Sequence, residues 1–202
     1  ALLTPIAKAY LTDTALQATL EAQMCFGGHG YIREWGMEQC IRDLRISQIY
    51  EGTNGVQAVD LIGRKTTKCG GAFIAEYIAE IREFVNTLDD GLSIKQATLK
   101  VCQQVEEITT FILEQAKTSP DFSSAVAVDY LHVVGLLSFV YMYARIHQAA
   151  AVKVDSFYQN KLVLADYYVA KVLPDLAARI QRIQSGASLV MQLPEEYFTA
   201  QS

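Results

Sequence analysis

The sequence predicts an all-α protein in two parts, on three observations. Apolar residues recur at the spacing of helix faces along most of the chain, glycine and proline fall where those stripes must stop, and no β-rich stretch interrupts them. The texture changes near Cys69-Gly70-Gly71: residues 1–69 are glycine-rich, whereas 70–202 read as long helices joined by short turns. With 51% of its 202 residues hydrophobic, the chain can bury one good core or two small ones.

In the first part, Thr4-Pro5 is expected to open a helix, a capping hydroxyl followed by proline at the first helical position. A second helix is expected from about Thr12, with Ala15, Leu16, Leu20 and Met24 on one face. Gly27-Gly28-His29-Gly30 should stop it, because glycine readily takes the positive φ that ends a helix. A short third helix should hold Met37, Ile41 and Leu44. After Glu51-Gly52-Thr53-Asn54-Gly55 another begins, capped by Thr53 or Asn54, with Val56, Val59, Leu61 and Ile62 toward a core.

The second part reads as a bundle. Phe73, Tyr77, Ile81, Phe84 and Leu88 form one stripe, which ends at Asp89-Asp90-Gly91. Leu99, Val101, Val105, Ile108, Ile112 and Leu113 form the next. Thr118-Ser119-Pro120-Asp121 separates that helix from an apolar one starting near Ser123, and a last helix spans about 156–185 with a bend at Pro174. Four antiparallel helices joined by short turns suggest an up-and-down bundle.

Composition narrows the function. Acids outnumber bases 22 to 17 and no long Lys/Arg cluster occurs, which argues against a nucleic-acid surface. The four cysteines form no C-x-x-C pair and the three histidines sit at no metal-ligand spacing, so no metal is expected and the thiols read as reduced, in a cytoplasmic protein. Between Asp129, His132 and Arg145, only Val133 to Ala144 is uncharged, about half of the ~20 residues a spanning helix needs; no transmembrane segment is expected there. The chain starts at Ala1, inside what reads as helix, and is expected to be part of something longer.

Three strings stand out: Phe26-Gly27-Gly28-His29-Gly30-Tyr31, Arg42-Asp43, and Ile49-Tyr50-Glu51-Gly52-Thr53-Asn54-Gly55-Val56-Gln57. In this order and spacing, over roughly residues 1–66, they resemble the C-terminal helical domain of the acyl-CoA dehydrogenase family. The resemblance implies residues 1–69 as part of that catalytic bundle, and 70–202 as an appended bundle of the kind carried by some longer bacterial members. It implies an FAD-dependent enzyme that oxidises an acyl-CoA thioester to a trans-2-enoyl-CoA and passes electrons to an electron-transfer flavoprotein. It also implies a homo-oligomer, dimer or tetramer, that shares the FAD site.

Residue by residue, the resemblance makes Glu51 the base that removes the α-proton, with Gly52 and Tyr50 at the substrate. Gly52 has no side chain to keep a flat thioester from the backbone, and desolvation by substrate should raise the Glu51 pKa toward the operating range. Thr53, Asn54 and Gly55 open a helix whose free N–H groups suit an anionic or polar part of FAD. Met24, Cys25, Phe26, Gly27 and Gly28 match the stretch that closes over the adenine end of FAD. The chain departs from the family at Met24, where many members have glutamine; its own glutamine is Gln23.

Arg42 and Asp43 read as an ion pair or caps that orient the Glu51 loop, Trp35 and Tyr50 as pocket or core aromatics, and His29 as solvent-facing or at the cofactor edge. His132 and His147 read as hydrogen-bonded histidines in or beside the bundle core. The chain alone is expected to be inactive, since the β-domain and first helices of the family are absent from it. Two other readings are an acyl-CoA oxidase that uses O2 and a non-catalytic helical oligomerisation or interaction module.

Overall fold

The computed structural model describes residues 2–198; Ala1, read above as lying inside a helix, and residues 199–202 fall outside that description. The described residues are mostly helical, with no strand among them.

Helix α1 runs without interruption as α-helical Leu3–Pro5, π-helical Ile6–Tyr10 and α-helical Leu11–Cys25. The expected separate start near Thr12 does not occur, because Tyr10 and Leu11 at the junction both keep right-handed helical backbone. Thr4 is not a cap either: Leu2 before it is already helical and no side chain caps that end, so Pro5 sits within the first turn, where its missing N–H costs nothing. Ile6, Ala9 and Tyr10 turn into the core, but nothing in Leu11–Cys25 is buried. The face expected from Ala15, Leu16, Leu20 and Met24 is therefore only partly covered: Ala15 and Leu16 are half-buried, whereas Leu20 and Met24 are exposed, Met24 at 74%.

Helix α2, Met37–Ser47, follows two short 3-10 turns, Gly27–Tyr31 and Arg33–Trp35. Helix α3 comprises Asn54–Val59 and a π-helical continuation, Asp60–Thr67. Thr53 caps it as expected, its Oγ1 accepting the Val56 N–H at 3.4 Å. Ala58, Leu61 and Ile62 are buried, whereas Val56 and Val59 are exposed, contrary to expectation. The spacing explains the difference: 58, 61 and 62 share one face, which leaves 56 and 59 on the other. Gly70 and Gly71, both at positive φ, end the helix, with the Gly71 N–H donated to the Thr66 carbonyl at 2.8 Å.

Helices α4 (Ala72–Val85), α5 (Ser93–Gln115), α6 (Phe122–Ala151), α7 (Ser156–Tyr167, with a π-helical extension Tyr168–Val172) and α8 (Asp175–Gln184) follow, with α5 packed on α4 and α6, and α6 on α7 and α8. Pro174 divides the expected last helix into α7 and α8. At the α4–α5 turn Lys95 is buried; its Nζ donates to the Leu88 carbonyl at 2.7 Å and to Asp90 Oδ1 at 2.6 Å, closing the end of α4.

Helix α6 organises the molecule. It is long and apolar enough to cross a membrane by length and composition, yet most of it is buried among the other helices. Buried residues lie all round it, from Tyr130 and Leu131 through Val133, Val134, Leu136 and Leu137 to Val140. One hydrophobic core joins Ile6, Tyr10, Leu61 and Ile62 to the helices after Gly71, so the change of texture there is no break in packing. Tyr130 pins the two parts together: its hydroxyl, fully buried, meets Thr109 Oγ1 at 3.0 Å and Thr66 Oγ1 at 3.5 Å, and burial pushes its pKa up to about 12.

Candidate functional site

The loop between α2 and α3 is held at both ends by one carboxylate. Asp13 Oδ1, on α1, accepts from Gln48 Nε2 and from Asn54 Nδ2, each at 2.6 Å. The Asn54 N–H also bonds the Gln48 carbonyl at 3.1 Å, so the loop closes on itself, and Lys8 Nζ donates to Asn54 Oδ1 at 2.6 Å. Asp13 Oδ2 lies 3.1 Å from Nε2 of His132, on α6; an ionised carboxylate only accepts, so the ring nitrogen donates. Burial pushes the Asp13 carboxyl up, yet the hydrogen bonds from His132, Asn54 and Gln48 outweigh it and hold its pKa below the ordinary carboxylate value.

Glu51 stands at the middle of this loop, three residues from Gln48 and three from Asn54. It is exposed and is the one non-glycine residue with positive φ among the described residues, +53°. That left-handed conformation costs an L-residue about 1–2 kcal/mol and persists where the surroundings impose it. Gly52 follows at φ +85°, and Gln57 Nε2 returns to bond the Glu51 carbonyl at 3.1 Å. The positive φ at Gly52 favours glycine, and a Cβ there would lie 3.2 Å from that same Nε2, so a side chain would also press on the Gln57 contact. The carboxylate of Glu51 is thus presented to solvent on a backbone that is fixed from both sides.

The glycine turn lies nearby in sequence and packs on the same helices, Gly27–Tyr31 contacting α1 and α2. Gly27 takes φ +57°, which ends α1 as expected. Gln23 Nε2 donates to the Gly30 carbonyl at 3.1 Å, and a Cβ on Gly30 would strike the Gln23 carbonyl at 2.5 Å. At Gly27 and Gly28 a Cβ would meet nothing within 4 Å, so their backbone faces open space. Phe26, Tyr31 and Trp35 are exposed beside them, and the His29 ring meets Trp35 edge-on at 5.0 Å.

The predicted residues divide accordingly. Met24, Cys25, Phe26, Gly27, Gly28, Tyr50, Glu51, Gly52, Thr53 and Gly55 are all exposed. Asn54 is turned inward, with its side chain and its N–H both engaged within the protein; the Gly55 N–H has no hydrogen-bond partner among the described residues. Arg42 and Asp43 form neither an ion pair nor a cap; both lie on the outer face of α2. Trp35 and Tyr50 are more than half exposed rather than core. His147 departs from expectation, its buried Nδ1 having no hydrogen-bond partner among the described residues. Sequence reasoning missed Asp13 and Gln48 and the role of His132. The available signal was His132 itself, a polar residue within the apolar run Leu131–Leu137, which needs a partner when buried.

The family described as "Acyl-CoA dehydrogenase, C-terminal domain" matches residues 2–66, and "Acetyl-CoA dehydrogenase C-terminal like" matches 77–194, more than half of the chain. A butyryl-CoA dehydrogenase of Syntrophomonas wolfei is 27% identical over 96% of this chain and 34% of its own length. A 3-methylmercaptopropionyl-CoA dehydrogenase of Ruegeria pomeroyi is 29% identical over 93% and 34%. The chain therefore spans about a third of these relatives. A crystal structure of an acyl-CoA dehydrogenase complexed with FAD from Bacillus anthracis superposes with a TM-score of 0.70 over 90% of this chain and 32% of that one; at 16% identity this likeness concerns the fold. Both matched segments share the core built around α6, and the chain belongs to the acyl-CoA dehydrogenase family as a C-terminal part of it.

Proposed function

We propose that this chain supplies the catalytic base of a flavin-dependent acyl-CoA dehydrogenase, with Glu51 removing the α-proton of an acyl-CoA thioester. The observation that carries the reading is an acid held in a left-handed conformation at the centre of a doubly anchored loop, followed by a glycine at φ +85° that an L side chain would strain. Strain of this kind gathers at sites where a side chain must be aimed rather than merely accommodated. A positioned base contributes ~10²–10⁴ in rate, provided it lies within hydrogen-bond reach of the proton it takes. The exposed backbone at Gly52 and the exposed Tyr50 ring suit a flat thioester lying across the loop.

FAD, when bound, supplies the acceptor for the hydride that leaves the β-carbon as the trans-2-enoyl product forms. The residues present fit such a group: Gly27 and Gly28 offer backbone with nothing in front of it, beside Met24, Cys25 and Phe26, and the capped start of α3 at Thr53 and Asn54 leaves the Gly55 N–H for a polar or anionic atom. Asn54 contributes by holding the loop, and Gln23 by holding the turn. We read residues 1–69 as catalytic and 70–202 as appended, the parent as a cytoplasmic homo-oligomer that shares the site, and its electron acceptor as an electron-transfer flavoprotein. The exposed apolar surface of Met24, Phe26, Tyr31, Trp35 and Tyr50 is what cofactor, substrate and the remaining two-thirds of such an enzyme would cover.

The test uses the full-length protein without oxygen. Saturating acyl-CoA should bleach the flavin's visible absorption in wild type, whereas Glu51→Gln should bind substrate and stay oxidised. Equal bleaching in both removes Glu51 as the base, and a full-length protein that binds no flavin overturns the dehydrogenase reading altogether.

A further inference from the structure

We propose that His132, on the central helix of the appended part, is a positioning residue for the Glu51 loop: it fixes the one carboxylate that holds both ends of that loop. The inference rests on Glu51 as the base and adds a reason for the appended helices to reach this site. The chain of contacts is short. His132 Nε2 meets Asp13 Oδ2 at 3.1 Å, and Asp13 Oδ1 accepts from Gln48 and Asn54 at 2.6 Å each. Glu51 lies midway between those two residues.

Each part of this arrangement is held. With only its Oδ1 engaged, the Asp13 carboxylate would be free to turn about its Cβ–Cγ bond, and no residue of Leu11–Cys25 is fully buried, so polar contacts such as this one and that of Asn54 Nδ2 to Thr12 Oγ1 at 2.9 Å tie the stretch to the loop. A donor on Oδ2 removes that freedom, and hydrogen bonds to a charged group are the stronger ones. The His132 ring is itself set by the edge of Tyr10, 5.3 Å away at 74°, and its side chain is only 14% exposed. The helix that carries it cannot shift easily, since most of its middle turns are buried, Tyr130, Leu131, Val133 and Val134 around His132 among them. A displacement of about 1 Å at a reacting group can cost roughly a hundredfold in rate, so a clamp two contacts away is within reach of the chemistry.

The full-length protein with its flavin tests this by two readouts. The first is hydrogen exchange of the Asn54 amide, whose N–H closes the loop onto Gln48 and which reports the loop without any turnover. His132→Ala should speed that exchange by at least about tenfold, and His132→Gln, which returns an amide donor at similar reach, should restore it. The second is turnover per bound flavin: His132→Ala should lower kcat by about tenfold to a hundredfold with KM changed less than about twofold, and His132→Gln should recover most of it. An unchanged Asn54 exchange rate in His132→Ala overturns the proposal, as does a loss of activity that only follows lost flavin or that His132→Gln does not relieve. A fully active Glu51→Gln control would remove the base and leave the exchange data to judge the clamp separately.

Discussion

The ring of Tyr10 rests directly on Gly135: a Cβ at that glycine would lie 2.4 Å from Tyr10 Cδ2 and 2.5 Å from Cγ. The same ring meets His132 and Phe139 edge-on, at 5.3 and 5.1 Å, so it spans two turns of α6 with the glycine as its seat. Two effects oppose each other in Gly135→Ala. Alanine favours a helix by about 1 kcal/mol over glycine, while overpacking a filled contact costs about 1–3 kcal/mol. At 2.4 Å, far inside ordinary contact, the clash should win. Denaturant unfolding should show a net loss of up to about 2 kcal/mol, with the sign reversed in a Tyr10→Ala background, where the seat is empty. Additive effects of the two substitutions would contradict the packing described.

Tyr130 gives a second expectation, for the junction between the two parts. Its hydroxyl is the hydrogen-bond partner of Thr109 Oγ1 and also reaches Thr66 Oγ1, which donates to the Leu61 carbonyl. Tyr130→Phe keeps the ring and removes these contacts inside a fully buried site, which should cost about 1–3 kcal/mol. Tyr130→Phe combined with Thr109→Val, which removes the stranded hydroxyl as well, should recover part of that loss. Thermal unfolding of wild type and the two variants decides it, and a stable Tyr130→Phe would mean that the junction rests on apolar packing alone.

Local chemistry made much of this legible. Gly27 at positive φ, the Thr53 cap and the division at Pro174 fall where residue type alone suggests. The π-helical turns at Ile6–Tyr10 and Tyr168–Val172 carry no comparable mark, because they arise from contact: Tyr168 donates to the Leu136 carbonyl at 3.3 Å and stacks with Tyr143. Tertiary contact also decided the polar residues. Adjacent Arg42 and Asp43 invite pairing yet are exposed and form no ion pair, whereas Asp13 and His132, 119 positions apart, meet. Val56 and Val59 continue an apolar string, but the helix can bury only the face that holds Ala58, Leu61 and Ile62.

Asp13 should give the clamp an acid limit. Its folded pKa lies below the ordinary 3.8, so the unfolded chain binds that proton more readily and stability rises with pH through this range. The contribution is fully present above the ordinary value and is lost as pH falls through the folded one. Asp13→Asn has no such titration. The stability gap between wild type and Asp13→Asn should therefore be constant near neutrality and shrink below about pH 4. A gap that stays constant down to pH 2 in urea titrations would show that the carboxylate is not held by its three donors.

Glu51 should show stability and chemistry pulling apart. At φ +53° it occupies a conformation that costs an L-residue about 1–2 kcal/mol and costs glycine almost nothing, while glycine gives back about 0.5–1 kcal/mol through the freedom of its unfolded chain. Glu51→Ala retains the strain and Glu51→Gly relieves it. The glycine variant should be more stable than the alanine variant by up to about 1 kcal/mol, although glycine is ordinarily the worse residue in a folded chain. Both should lose turnover by roughly 10²–10⁴, since neither can take a proton. Denaturation midpoints of the two variants beside wild type are sufficient. If alanine is the more stable, the loop relaxes when the carboxylate is removed and the left-handed turn is set by Glu51 itself; if glycine is, Gln48, Asn54 and Gln57 impose it and hold the acid in place against its own preference.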